Sequence, residues 1–171
     1  MDEARFGQQG TLTKMWAPKG SRPTAVKQTK YEWVYLYAAV EPSSGESTAL
    51  LAPQVNVGTM NVFLRMLSED IVQTGSRHDA AMVIMDQAGW HVSKRLIVPR
   101  NIRLVLLPPY SPELNPVENL WHWIKSHHTS NRAFADYDDL LDRVGCAWRT
   151  LTKRRLRSVC RCNYLTPGKL A

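Results

Sequence analysis

The chain has 171 residues, 44% of them hydrophobic, enough for one ordinary domain that closes a core without disulfide or metal staples. Three cysteines make no disulfide framework, and the longest apolar run is strand-length, far short of the roughly 20 residues that cross a bilayer. The formal net charge of +7 sits at one end: from Arg143 onward there are eight basic and no acidic residues, against fourteen basic and fifteen acidic before it. Such a block suits a polyanion, or equally a solvated basic helix face. The polar opening MDEARFGQQG is no secretory signal, and a reducing cytoplasm is the expected setting.

Residues 2–9 are expected as a first strand, with Asp2 loosely held because chain ends fray. Residues 11–23 read as a turn-rich connection, punctuated by Pro18, Gly20 and Pro23. Over 31–40, Tyr31, Trp33, Tyr35, Tyr37 and Ala39 fall on one face and Val34, Leu36, Ala38 and Val40 on the other. Both faces are apolar, so this strand should be central and covered on both sides, its aromatics packing a core rather than stacking on bases. The Pro-Ser-Ser-Gly run ending at Gly45 turns the chain into an antiparallel strand over 47–51. Met60, Phe63, Leu64, Leu67 and Ile71 recur at helical spacing and predict an amphipathic helix over 59–73. That crossover allows a strand over 81–86 to pair in parallel with its neighbours. A short helix over 93–98 and a strand over 102–107 follow.

Both of these later apolar runs stop abruptly and deliver a carboxylate. The first ends at Asp86; the second is closed by Pro108 and Pro109 and leads to Glu118. Asn115, Pro116 and Glu118 open a helix over 116–128 with a capping residue, a proline and a first-turn acid. Two carboxylates 32 positions apart, at the ends of neighbouring elements, are a donor set for a divalent metal in phosphoryl chemistry. Each has a structural rival. Asp86 would serve equally as a turn former, and Glu118 as the capping-box partner of Asn115. Tyr110, Ser111 and Pro112 read as a rigid turn that aims Glu118 rather than as a polyproline ligand. Tyr137, Leu140, Leu141, Val144, Trp148 and Leu151 predict a further amphipathic helix with an acidic start. A basic segment over 152–162 offers only Leu156, Val159 and Cys160 to a core. His127, His128, Cys160 and Cys162 are poor zinc ligands, since Cys-x-Cys is too short a spacing and no second pair accompanies it.

These motifs resemble those of the mariner-related bacterial insertion-sequence transposases (the six-thirty group), over residues 2 to about 140. In that family the third acid sits in a segment very like LPPYSPELNPVENLW followed by a basic residue, here Glu118 and Lys125. The second ends a hydrophobic strand with a histidine a few residues on, here Asp86 and His91; the first lies in an Asp-Glu pair, here Asp2-Glu3, ahead of a turn like WAPKGSRP. The resemblance implies an α/β, ribonuclease-H-like fold: one mixed sheet, an antiparallel meander plus parallel strands, with flanking helices. It implies a DDE catalytic domain over 1–150 and a basic helical tail over 151–171. It further implies that Asp2, Asp86 and Glu118 are catalytic and bind Mg2+, with Mn2+ as substitute. The reaction would be DNA cleavage at transposon ends and strand transfer into a target, with a second copy or a full-length transposase as partner and no membrane. His91, Lys125, Lys153, Arg154, Arg155 and Arg157 are candidate DNA contacts, with a structural histidine and a solvated lysine equally open for the first two. Two departures matter. Gln87 stands where the family more often has asparagine, so its amide must reach one methylene further. Only Met1 precedes the first acid, so the domain is expected to lack the start of its first strand and any upstream helix-turn-helix. A degenerate remnant that binds DNA or a full-length partner without cutting therefore stands as the alternative.

Overall fold

Alternation in the second strand governs how the layers stack. In the computed structural model, which describes residues 1–9, 12–24, 28–73 and 80–162, strand β1 (Asp2–Gly7) pairs antiparallel with β2 (Trp33–Val40), and β2 with β3 (Ser47–Ala52). Asp2 lies opposite Ala38 and Phe6 opposite Val34, so β1 and β2 share their faces. Val34, Leu36 and Ala38 join Ala4 and Phe6 in a core closed by helices α2 (Val117–Ile124), α3 (Tyr137–Arg149) and α4 (Lys153–Val159). On the other face Tyr37 packs with Met60, Phe63 and Leu64 of helix α1 (Val57–Gln73), and with Val83 and Met85 of β4 (Ala81–Met85). The central strand is covered on both sides, as its composition requires. Tyr31 falls outside it, 70% exposed, with its ring edge-on to Trp33.

After the α1 crossover, β4 pairs in parallel with β5 (Ile102–Leu106), Ala81 opposite Ile102. The expected single mixed sheet is carried as two, a three-stranded antiparallel and a two-stranded parallel one. They meet where the Met1 amino group donates to the Ile84 carbonyl at 2.8 Å. Helix starts follow their caps. Asn56 accepts from the Thr59 amide at 2.9 Å, Asp136 from Asp139 at 2.9 Å and Thr152 from Arg155 at 3.2 Å, each satisfying an amide with no partner inside its helix.

Three sequence expectations are corrected. No helix forms over 93–98, because Asn61 of α1 holds that segment open: its Nδ2 donates to the Arg95 carbonyl at 3.2 Å and its Oδ1 accepts from the Ile97 amide at 2.8 Å. Ile97 and Val98 ahead of Pro99 also disfavour helix on steric grounds. The helix expected over 116–128 remains α-helical only to Ile124 and then widens into a π turn, Lys125–Thr129. The expected capping box is absent. The Asn115 amide donates instead to the Pro112 carbonyl at 2.9 Å, and its side-chain Oδ1 accepts from Val117 at 3.2 Å. The 16–23 stretch forms its turn, with Gly20 left-handed and the Ser21 amide donating to Pro18. Thr11 and residues 163–171, Lys169 included, lie outside the described residues.

Gly45 locks the β2–β3 turn to the start of α4. It has a φ of 78°, and an added Cβ would collide with the Lys153 carbonyl. Gly45→Ala should therefore cost at least about 1–2 kcal/mol from backbone handedness alone. The check is a lower urea midpoint at unchanged slope; a wild-type midpoint would mean that α4 does not rest on this turn.

Candidate active site

Because successive strand residues point to opposite faces, β1 sends Asp2 towards α2 and Glu3 towards the loop after β4. Asp2 is buried, and its Oδ2 accepts from the Trp121 indole Nε1 at 2.8 Å. The Trp121 ring meets Phe6 edge-on, with centroids 6.5 Å apart. The expectation of a loosely held Asp2 is overturned: strand pairing, burial and the indole bond fix it. Burial pushes its carboxyl up from 3.8 to about 7, opposed by the Trp121 bond and reinforced by the charges of Glu118 and Glu3.

Asp86 follows the last residue of β4 and is exposed. Among the described residues, the hydrogen bonds to its carboxylate fall on Oδ1: the Ala88 amide at 3.0 Å and His91 Nδ1 at 2.6 Å. The turn-forming bond thus uses Oδ1, and among the described residues Oδ2 takes no hydrogen bond. His91 is buried, and its Nε2 lies 2.9 Å from Glu3 Oε1. Burial alone would lower the ring's pKa, but the bonds and charges of Glu3 and Asp86 prevail and raise it. Both ring nitrogens of His91 are engaged inside the protein, where the ring connects two carboxylates. Gln87 donates through Nε2 to the Leu107 carbonyl at 2.8 Å, so its longer amide ties the ends of β4 and β5 together.

Glu118, free of a capping box, is exposed in the first turn of α2. Asp2, Asp86 and Glu118 all line one cavity of about 490 Å³, with a wall from residues 107–112. Tyr110, left-handed at φ 56° and fully exposed, marks the tight turn in that wall. Buried Asn115 braces the floor, its Nδ2 donating to the Met1 carbonyl at 3.2 Å. Among the described residues no three His, Cys, Asp or Glu side chains are grouped so that they could hold one metal ion together. Carboxylate oxygens are the hard donors that Mg2+ and Mn2+ take, and such ions need only one or two carboxylates beside waters and substrate phosphates.

The basic candidates divide. Lys125 Nζ lies 5.7 Å from the Phe6 ring centroid and the Arg155 guanidinium 5.4 Å from that of Trp123. Lys153 is paired with Glu46, whereas Arg154 and Arg157 are exposed.

A family profile described as DDE superfamily endonuclease matches residues 1–141. The chain belongs to this family. It is 43% identical over 119 residues to the uncharacterized protein y4pE/y4sA of Sinorhizobium fredii (strain NBRC 101917 / NGR234), covering 70% of this chain and 85% of that one. Its fold is similar to that of the Mos1 transposase in a paired-end complex with the left transposon end (TM-score 0.67, 16% identity). It is equally similar to the Mos1 mariner paired-end complex with Mn (TM-score 0.69, 15% identity). In each case 93% of this chain is covered, and the chain spans about half the length of those transposases, 49% and 50%.

Two residues that hold these carboxylates in this DDE superfamily chain escaped the sequence reading, Trp121 and Glu3. Glu3 carried a signal, adjacency to Asp2, but its partner lies 88 positions away. Trp121 stood in the sequence only as the last residue of LPPYSPELNPVENLW.

The raised Asp2 pKa has a consequence for the metal-free protein. A folded value near 7 against 3.8 unfolded means that the folded state binds the extra proton between them. This group's contribution to stability should be full below pH 4 and decline as pH rises towards 7. Carbon NMR of the Asp2 carboxyl checks it; a titration midpoint near 4 would contradict the burial described.

Proposed function

We propose that this chain is the catalytic part of a transposase of ribonuclease-H-like fold, cutting DNA at transposon ends and joining the freed 3′ ends to a target. The observation that carries the reading is the convergence of Asp2, Asp86 and Glu118 on one cavity in a DDE superfamily endonuclease. The structurally similar Mos1 chains, one in complex with a transposon end and one with Mn, support it by analogy of fold.

In this reading Asp2, Asp86 and Glu118 hold the divalent cations. Bound there, Mg2+ or Mn2+ would supply Lewis acidity, activating water or a 3′-hydroxyl and stabilising the departing 3′-oxygen of the phosphodiester. Trp121 keeps the Asp2 carboxylate aimed into the cavity at the cost of one indole hydrogen bond. His91 and the Ala88 amide occupy Asp86 Oδ1, so Oδ2 would be the oxygen offered to a ligand. Glu118, on the first turn of α2, has the freedom of an exposed carboxylate to close on an incoming phosphate and its counterion. Exposed Arg154 and Arg157, together with Arg155, would meet DNA phosphates without reading sequence. A basic helical end of the chain attached to a catalytic body over 1–150, and a second copy or a full-length transposase at the DNA, complete the proposal.

One observation favours the non-cutting alternative: among the described residues no three acids or other ligand side chains are grouped so that they could hold one metal ion together. Plasmid nicking separates the two. Wild-type protein with Mg2+ or Mn2+ is expected to nick supercoiled DNA, and Asp86→Asn or Glu118→Gln to reduce the rate at least about 100-fold, some 2.7 kcal/mol of transition-state stabilisation. Wild-type protein that retards DNA yet never nicks it would leave only binding; nicking that survives both substitutions would refute the residue assignment.

A further inference from the structure

We propose that Glu3 and His91 are positioning residues that fix the Asp86 carboxylate for cation binding, a role that rests on the reading of Asp86 as a ligand. The argument is geometric. The His91 side chain is fully buried and that of Glu3 only 5% exposed, whereas Asp86 is 56% exposed at the cavity. A buried carboxylate, a buried imidazole and a solvent-facing carboxylate thus form one chain, 2.9 Å and then 2.6 Å between heavy atoms. The chain starts on β1, a strand paired along its length, and ends on the loop after β4.

Burying an imidazole against a carboxylate is costly unless the hydrogen bonds are made. The nearest cation on the strand does not compete for Glu3. The Arg5 guanidinium lies instead over the Trp33 ring, 4.6 Å from its centroid. Among the described residues His91 is the ion-pair partner of Glu3, and Asp86 is its second. The 2.6 Å bond falls on Oδ1, the oxygen that also accepts the Ala88 amide. Two donors on one oxygen fix the carboxylate plane, and among the described residues the other oxygen takes no hydrogen bond while Asp86 lines the cavity. That is the arrangement by which hydrogen-bonded partners outside a metal's own ligands orient them, and their loss typically costs 10–100-fold in metal affinity. A mere strut between β1 and the loop would affect stability and leave ion binding untouched.

The test measures Mn2+ binding from the free-ion electron paramagnetic resonance signal, alongside urea unfolding, for wild type, Asp86→Asn, Glu3→Ala, Glu3→Gln and His91→Ala. Binding about tenfold or more weaker in Glu3→Ala and His91→Ala, with Glu3→Gln partly restored because it keeps an oxygen acceptor for Nε2, is the expected result. Folded variants that bind Mn2+ as wild type does overturn the positioning role. Because substitution of buried groups risks unfolding, a second measurement uses the wild type alone: Mg2+ added to ring-labelled protein should shift the His91 nitrogen resonances. No shift at saturating Mg2+ also overturns it. Wild type that binds no Mn2+, or Asp86→Asn that binds it undiminished, overturns the Asp86 ligand reading itself, and the positioning role with it.

Discussion

The indole hydrogen bond from Trp121 to Asp2 holds the rest of the site in register. A carboxylate set into an apolar core without a partner would cost several kcal/mol or be protonated outright. Here one 2.8 Å bond offsets part of that cost and leaves a carboxyl near 7. The same bond docks α2 against β1, with the Trp121 ring edge-on to Phe6. Glu118 sits three residues before Trp121, one helical turn back, so docking the indole also decides where Glu118 enters the cavity.

Much of the scaffold was readable because its signals are periodic and local. Apolar residues on both faces of β2 required cover on both sides, and the helices provide it. Helical spacing from Met60 to Ile71 gave α1 to within two residues, and Asp136 with its acidic followers marked the start of α3. The abrupt ends of β4 and β5 delivered Asp86 and the turn before Glu118 to one cavity. Each depends on a few neighbouring side chains, which is why sequence order exposes it.

What was not readable depends on partners distant in the chain. The segment over 93–98 has adequate helical composition, but two bonds from Asn61 outweigh a short helix whose nucleation is costly. The capping box fails for a similar reason: the Asn115 amide is claimed by Pro112 and its side chain by Met1 and Val117, leaving Glu118 exposed. His91 read equally as a DNA contact or a structural residue, and only the fold sets it between Glu3 and Asp86. The widening of α2 into a π turn had no sequence mark. It follows from the chain after Ile124, where Ser126 and His127 bond to the carbonyls of His122 and Trp123.

The Asp-Glu pair itself then acquires a physical meaning. On a strand, adjacent residues face opposite ways, so Asp2 and Glu3 cannot serve one another. Each instead reaches a different element. Asp2 is held by Trp121 on α2, the helix that bears Glu118; Glu3 meets His91 on the loop that bears Asp86. Two consecutive residues of one strand thereby tie both remote carboxylates to a common support. Slipping β1 by one residue against β2 would exchange the faces, sending an acid into the indole's place and the other away from the histidine. Strand register thus decides which acid the Trp121 indole can hold and which one His91 can reach.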